Sequence, residues 1–96
     1  MNTQSHKNIE NGAVLELIRV KEAEYMKNYE LKITFDNGVT KIADLSPYLT
    51  GPVFEPLKDP LLFRQVFIPA DSPTIEWPNG ADFAPDTLYT IGRTVM

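Results

Sequence analysis

Between Tyr29 and Phe35 the chain alternates without a break. Tyr29, Leu31, Ile33 and Phe35 fall on one side, and Glu30, Lys32 and Thr34 on the other. Successive side chains of an extended backbone point to opposite faces, so this period of two marks a strand with one buried face. Asn37-Gly38 follows. A two-residue type I′ turn needs positive φ at both central residues, and Asn-Gly meets that need at low steric cost. With Asn37 and Gly38 as the loop, Asp36 faces Val39, Phe35 faces Thr40, Thr34 faces Lys41 and Ile33 faces Ile42. Facing residues share a side, so Ile42 joins the apolar face and Thr34 the wet one. Upstream, in "AVLELIRVK" (residues 13–21), Ile18 and Val20 alternate with Arg19 and Lys21, while Leu15 and Leu17 take the opposite phase. This predicts a strand half-buried at its end and covered on its other face at its beginning. Tyr25, Met26 and Tyr29 sit before the alternating strand, at an edge suited to pairing with a second copy or another protein.

After the hairpin, proline marks three helix starts. Ser46-Pro47 opens a single turn with Ser46 as N-cap and Gly51 as its stop. Asp59-Pro60 opens "DPLLFRQV", about two turns, with Leu62, Phe63 and Val66 on one face. Ala84-Pro85-Asp86 opens "PDTLYTIG", with Asp86 at the positive end of the helix dipole, Leu88 and Ile91 inward and Gly92 at the end. Two short strands, "QVFIP" and "TIEW", lie between the last two helices. Ile75 and Trp77 share one face of the second, with Glu76 on the other. Strands with helices inserted late define an α+β fold: a small, mostly antiparallel sheet packed against two short helices. The expected core is Ile18, Val20, Leu31, Ile33, Phe35, Ile42, Phe63, Ile68, Ile75 and Trp77.

Ninety-six residues fit one domain, and a chain this short buries roughly 60–65% of the surface that its unfolded form exposes. Residues 1–12 form a polar, flexible tail, and residues 13–96 form a single α+β domain. The chain has no cysteine, which excludes disulfides and thiolate metal sites and fits the cytoplasm. The tail has no apolar core of the kind that a signal peptide carries, and no apolar run approaches the ~18 residues of a membrane span. The net charge is −4. Lys21, Lys27, Lys32 and Lys41 are the nearest approach to a basic stripe, so direct nucleic-acid binding is disfavoured.

The densest stretch is "TIEWPNGADFAP", residues 74–85. Asp82 and Asp86 are four apart, and Glu76 and Asp44 are candidates to lie near them. One reading is a carboxylate cluster that binds a hard cation or works as acid and base. A second is a partner-binding loop carried by Trp77, Asn79, Asp82 and Asp86. The third, which every residue there supports, is architecture: Trp77 buries its ring, Pro78 ends strand pairing, Asn79-Gly80 turns the chain, Asp82 or Ala84 caps, and Pro85 starts a helix. His6, the one histidine, stands in the polar tail and is read as solvated, which removes a Ser-His-Asp set or a histidine metal site. Asp36-Asn37-Gly38 lacks the ligand ladder of a calcium loop. Phe54 and Leu57, in "GPVFEPL", are either the anchors of a core flap, the favoured reading, or an exposed apolar patch. Gly51 and Gly80 are isolated and form no phosphate-binding loop.

Three segments, "YELKITFDNGVTKIADLSPYL", "GPVFEPLKDPLLFRQVFI" and "TIEWPNGADFAPDTLY", together resemble the bacterial domain-of-unknown-function family 2442 over roughly residues 14–90. The most specific piece is "IEWPNGADFAPDTLY". The resemblance implies a small α+β fold with no established activity and therefore no catalytic residue to carry over. It also implies a domain that stands alone or precedes a helix-turn-helix segment, encoded in small two-gene loci in the manner of toxin–antitoxin pairs. This chain is read as the stand-alone form. The expectation is a non-enzymatic protein-interaction module, antitoxin-like, with a protein partner, a capacity to form a homodimer, and no cofactor, metal, membrane or direct nucleic-acid contact. The alternative is a small-ligand or metal binder, or an enzyme, that uses Glu76, Asp82 and Asp86.

Overall fold

The computed structural model describes residues 18–95. The tail at residues 1–12, His6, and the strand start containing Leu15 and Leu17 lie outside the described residues. Four strands make one antiparallel sheet in the order β1 (Val20–Tyr25), β2 (Glu30–Phe35), β3 (Thr40–Asp44) and β4 (Arg93–Thr94). Short helices fill the chain between β3 and β4, so the fold is α+β with a hairpin near the N-terminus. The described residues form three helices: α1 (Gly51–Phe54), α2 (Pro60–Phe63) and α3 (Pro85–Ile91). Single 3-10 turns at Ser46–Tyr48 and Glu55–Lys58 link β3 to α1 and α1 to α2.

β1 begins at Val20 and runs on past Lys21, where the expected strand ends, to Tyr25, which was expected only to precede the alternating strand. Ile18 and Val20 are buried, as their alternation predicts. A bulge between Val20 and Glu22 shifts the register, so Val20 pairs with Phe35 while Ala23 pairs with Ile33 and Tyr25 with Leu31. Asn28, with φ 51°, turns the chain into β2.

The β2–β3 register differs by one residue from the expected one. Thr34 pairs with Thr40, Ile33 with Lys41, Lys32 with Ile42 and Leu31 with Ala43. The loop has three residues, Asp36 to Gly38, because Phe35 N–H donates to the Val39 carbonyl at 2.8 Å. Gly38 has φ 90° and Asn37 has negative φ, the combination of a type I turn closed by a glycine bulge. A one-residue slip exchanges the faces. Ala43 therefore lies in the core with no exposed surface, and Ile42, expected inside, stands half-buried on the other face.

One core cluster joins the inner face of the sheet (Val20, Leu31, Ile33, Phe35, Ala43) to Leu45, Leu49, Leu57, Phe63, Ile75, Trp77, Ala81, Phe83 and Leu88. The first helical turn is capped differently from expectation: Asp44, not Ser46, supplies the side-chain acceptor, bonding Ser46 N–H at 3.0 Å. Gly51, expected as a stop, opens α1. α2 is shorter than the two turns predicted, but Asp59 caps it through Leu61 N–H at 3.0 Å, Phe63 is buried, and Leu62 and Val66 pack against the core. α3 follows the sequence closely, from Ala84 as N-cap to Gly92 as C-cap, with Leu88 buried and Ile91 against the core. The segments "QVFIP" and "TIEW" make one antiparallel bridge, Phe67 to Glu76, and no ladder. Ile68, expected in the core, is half-buried at its rim. Leu57 is fully buried and Phe54 packs on the core, as the flap reading of "GPVFEPL" requires.

Candidate functional site

The segment from Thr74 to Asp86 forms around Trp77. Ile75 and Trp77 point inward with no exposed surface, and Glu76 between them is half-buried. The indole Nε1 donates to the Phe63 carbonyl at 2.8 Å, fastening the segment to the end of α2. The ring lies 5.7 Å from that of Phe63 and 6.0 Å from that of Phe83, and Phe83 in turn meets Phe54 at 5.0 Å. Such pairs contribute about 0.5–1.5 kcal/mol each beyond their area burial. The Thr74 hydroxyl donates to the Phe83 carbonyl. Asn79 is exposed, but its amide is engaged at both ends: Nδ2 donates to the Val53 carbonyl at 3.0 Å, and Oδ1 accepts from Ala81 N–H at 3.1 Å. Pro78 does not end the pairing. It occupies a turn, after which Trp77 N–H donates to the Ala81 carbonyl at 2.9 Å and Glu76 bridges Asp82.

Two of the three candidate carboxylates come together. Glu76 and Asp82 face each other across their bridge, so both side chains leave the same side. Phe67, paired with Glu76 on its other flank, completes the row and is 44% exposed. Asp86 sits apart in the first turn of α3, exposed, with Oδ1 accepting from Thr87 N–H at 2.9 Å. Asp44 caps the Ser46 turn at the end of β3. Among the described residues no three His, Cys, Asp or Glu side chains gather closely enough to hold a metal ion, and no pocket forms. The lysine stripe is also divided. Lys32 pairs with Ile42 and Lys41 with Ile33, which puts the two lysines on opposite faces of the sheet. Lys41 folds over Tyr89, with Nζ 4.0 Å from the ring centroid and 2.5 Å from the Tyr89 carbonyl.

Sequence reasoning placed Glu30, Lys32 and Thr34 on a wet face but did not extend that face to Glu22 and Glu24 of β1. Helices and loops pack on the inner face. Among the described residues the outer face carries Glu22, Glu24, Lys32, Thr34, Thr40, Ile42 and Arg93, exposed or half-buried. The signal for it was the strict alternation of β2, which requires a polar face as well as an apolar one.

These features define a small α+β domain: a four-stranded antiparallel meander covered on one side by short helices and closed by an aromatic-and-proline segment. The chain matches the model of the family described as protein of unknown function DUF2442 over residues 20–94, and it belongs to that family. No curated protein and no solved structure matches it. No helix of the described residues is long and apolar enough to cross a membrane.

Proposed function

We propose that this domain is a non-catalytic protein-interaction module, the antitoxin-like member of a two-gene locus, acting in the cytoplasm on a protein partner. The observation that carries this reading is where the conspicuous segment spends its polar groups. Trp77 Nε1, both ends of the Asn79 amide and the Thr74 hydroxyl are all bonded to the domain's own backbone. These polar groups of the segment are thereby engaged as architecture, while the outer face of the sheet keeps a row of exposed charged side chains, Glu22, Glu24 and Arg93 among them. Peptide groups and charged side chains along a sheet edge recognise extended protein chains. Lysines divided between two faces do not form the continuous basic surface that a phosphate backbone attracts.

Affinity capture of the tagged chain, co-expressed with the product of the adjacent gene, tests the reading. A stoichiometric complex that survives gel filtration is expected. A chain that elutes alone and captures neither that product nor a second copy of itself overturns it. The alternative, a cation or small-ligand site, has the facing of Glu76 and Asp82 in its favour. It requires Asp86 to swing toward them. Calcium or manganese titration followed by amide NMR distinguishes the two: saturable shifts confined to residues 76, 82 and 86 favour the alternative.

A further inference from the structure

Among the described residues the sheet ends on one side at β1, and the geometry of that edge selects its occupant. Met26 N–H donates to the Glu30 carbonyl at 3.0 Å, which makes 26 and 30 a hydrogen-bonded pair. Antiparallel pairs alternate in type, so Glu24 with Lys32 and Glu22 with Thr34 are also hydrogen-bonded. The peptide groups of Ala23 and Tyr25 therefore point away from β2, along the free edge. At the upstream end Val20 N–H is already taken by the Pro73 carbonyl at 2.8 Å, which limits the open stretch to residues 22–25. Glu22 and Glu24 project from this stretch on the outer face, both exposed, and the one ion pair among the described residues is Lys58–Glu55.

A second copy is disfavoured here. Two β1 strands paired about a two-fold axis must place outer residues opposite outer residues. Centred on Glu22, the pairing sets Glu22 against itself. Centred on Ala23, it sets Glu22 against Glu24 twice, and centred on Glu24 it sets Glu24 against itself. These three registers oppose like charges, which destabilises an antiparallel pair, and a pairing centred on Tyr25 runs off the open stretch, setting Glu24 against Met26 and Ala23 against Lys27. Acidic side chains on a short edge beside a bulge are a recognised guard against self-pairing.

We propose that the β1 edge takes a short extended segment of another protein carrying lysine or arginine at two positions two residues apart, with an apolar residue between them. Glu22 and Glu24 stand at non-hydrogen-bonded positions relative to an incoming antiparallel strand, where facing side chains approach most closely. The two cations fall opposite them. The apolar residue falls opposite Ala23, on the inner face, beside the Tyr25 ring that packs on Phe63 at 6.0 Å. Lys32 is the neighbouring cation on the same face, across from Glu24, and moderates the preference without reversing it.

This inference rests on the interaction-module reading and names its surface. The probe is a seven-residue peptide, Thr-Val-Lys-Val-Lys-Val-Thr, compared with its glutamate counterpart, Thr-Val-Glu-Val-Glu-Val-Thr, by amide NMR at low salt. The lysine peptide is expected to bind about tenfold or more tightly than the glutamate peptide, with Ala23 and Tyr25 amides shifted and slowed in exchange. The doubly substituted E22K/E24K chain, altered only at exposed positions, is expected to reverse the order. Equal binding of both peptides, no binding, or shifts that avoid residues 22–25 overturn the proposal. If the adjacent gene product is nevertheless captured by the E22K/E24K chain as well as by the native one, the module reading stands and only its assignment to this edge falls.

Discussion

Two pentapeptides, Phe35-Asp36-Asn37-Gly38-Val39 and Trp77-Pro78-Asn79-Gly80-Ala81, fold into the same turn. In each, the leading aromatic is fully buried, and its N–H donates to the carbonyl of the fifth residue, at 2.8 Å and 2.9 Å. The glycine N–H donates to the aromatic's carbonyl, at 3.0 Å and 2.8 Å, and both glycines have φ 90°. The asparagine Oδ1 accepts from the N–H of the fifth residue, at 3.0 Å and 3.1 Å. What surrounds the turns differs. The first closes a ladder of five further pairs, from Thr34 with Thr40 back to Glu30 with Asp44. The second closes a single bridge, Glu76 with Asp82. Glu76 exchanges both backbone bonds with Phe67 on its other flank, and Thr74 is drawn into the Ser72 turn, so no strand continues upstream. The turn is a local product of its five residues, whereas the length of the sheet it closes depends on partners far along the chain.

The largest expected effect separates the two leading aromatics. Replacing a fully buried Phe or Trp with Ala costs about 3–5 kcal/mol, a large share of the 5–15 kcal/mol that holds a typical domain folded. Trp77→Ala is expected at the upper end and above Phe35→Ala, because it also removes the donor that satisfies the Phe63 carbonyl. Urea denaturation of both variants gives the order. Trp77→Phe keeps most of the ring and loses the N–H, so its smaller loss isolates the hydrogen bond and remains measurable if Trp77→Ala does not fold. Equal costs for Trp77→Ala and Phe35→Ala would mean that the indole bond contributes nothing.

The glycines sharpen the comparison in the other direction, since they test sameness. A Cβ placed on Gly38 or Gly80 meets nothing within 4 Å, so substitution there brings no clash and only the cost of positive φ. Gly38→Ala and Gly80→Ala are each expected to lose about 1–2 kcal/mol, equal to within about 0.5 kcal/mol, by chemical denaturation. A difference above about 1 kcal/mol would show that one turn is held more tightly by its context than the other.

The same pair of turns explains what could be read in advance. The strand Glu30–Phe35 was legible because its alternation is unbroken, and α3 because Pro85, Asp86 and Gly92 mark both ends. The β2–β3 register was misjudged because Asn-Gly serves both a two-residue and a three-residue loop, and the pair alone does not choose between them. A deciding signal was in the sequence. The two-residue register sets Asp44 opposite Leu31 on the apolar face, while the three-residue register sets Ala43 there and leaves Asp44 outside. The helical turns of "GPVFEPLK" are too short to show a period, and the two residues of β4 carry none. Trp77, Asn79, Asp82 and Asp86 were recognised as a dense group. Their division into one buried ring, one amide bonded at both ends and two exposed acids depends on Phe63 and Val53, which are remote in sequence. The acidic edge of β1 was hidden because the bulge after Val20 changes the phase: Ala23 and Tyr25 alternate with Glu22 and Glu24, but out of step with Ile18 and Val20.

The smallest effect concerns the second residue of each turn. In a type I turn this position favours proline, whose ring presets φ. The second turn has Pro78 there and the first has Asp36. The difference follows from the backbone: Asp36 N–H donates to the Arg19 carbonyl at 2.9 Å, and the Asp36 carboxylate accepts from Arg19 N–H at 3.3 Å, tying the start of β1 to the turn. Proline at 36 would lose the first bond, so Asp36→Pro is expected to destabilise by about 1 kcal/mol even though the turn itself accepts proline. Among the described residues the peptide nitrogen at 78 is asked for no such bond. Pro78→Ala is therefore expected to lose only about 0.4–1 kcal/mol, through greater freedom of the unfolded chain. Thermal unfolding of the two variants checks both signs. A stabilising Asp36→Pro would mean that the Arg19 bond is dispensable and that the two turns are interchangeable in context as well as in shape.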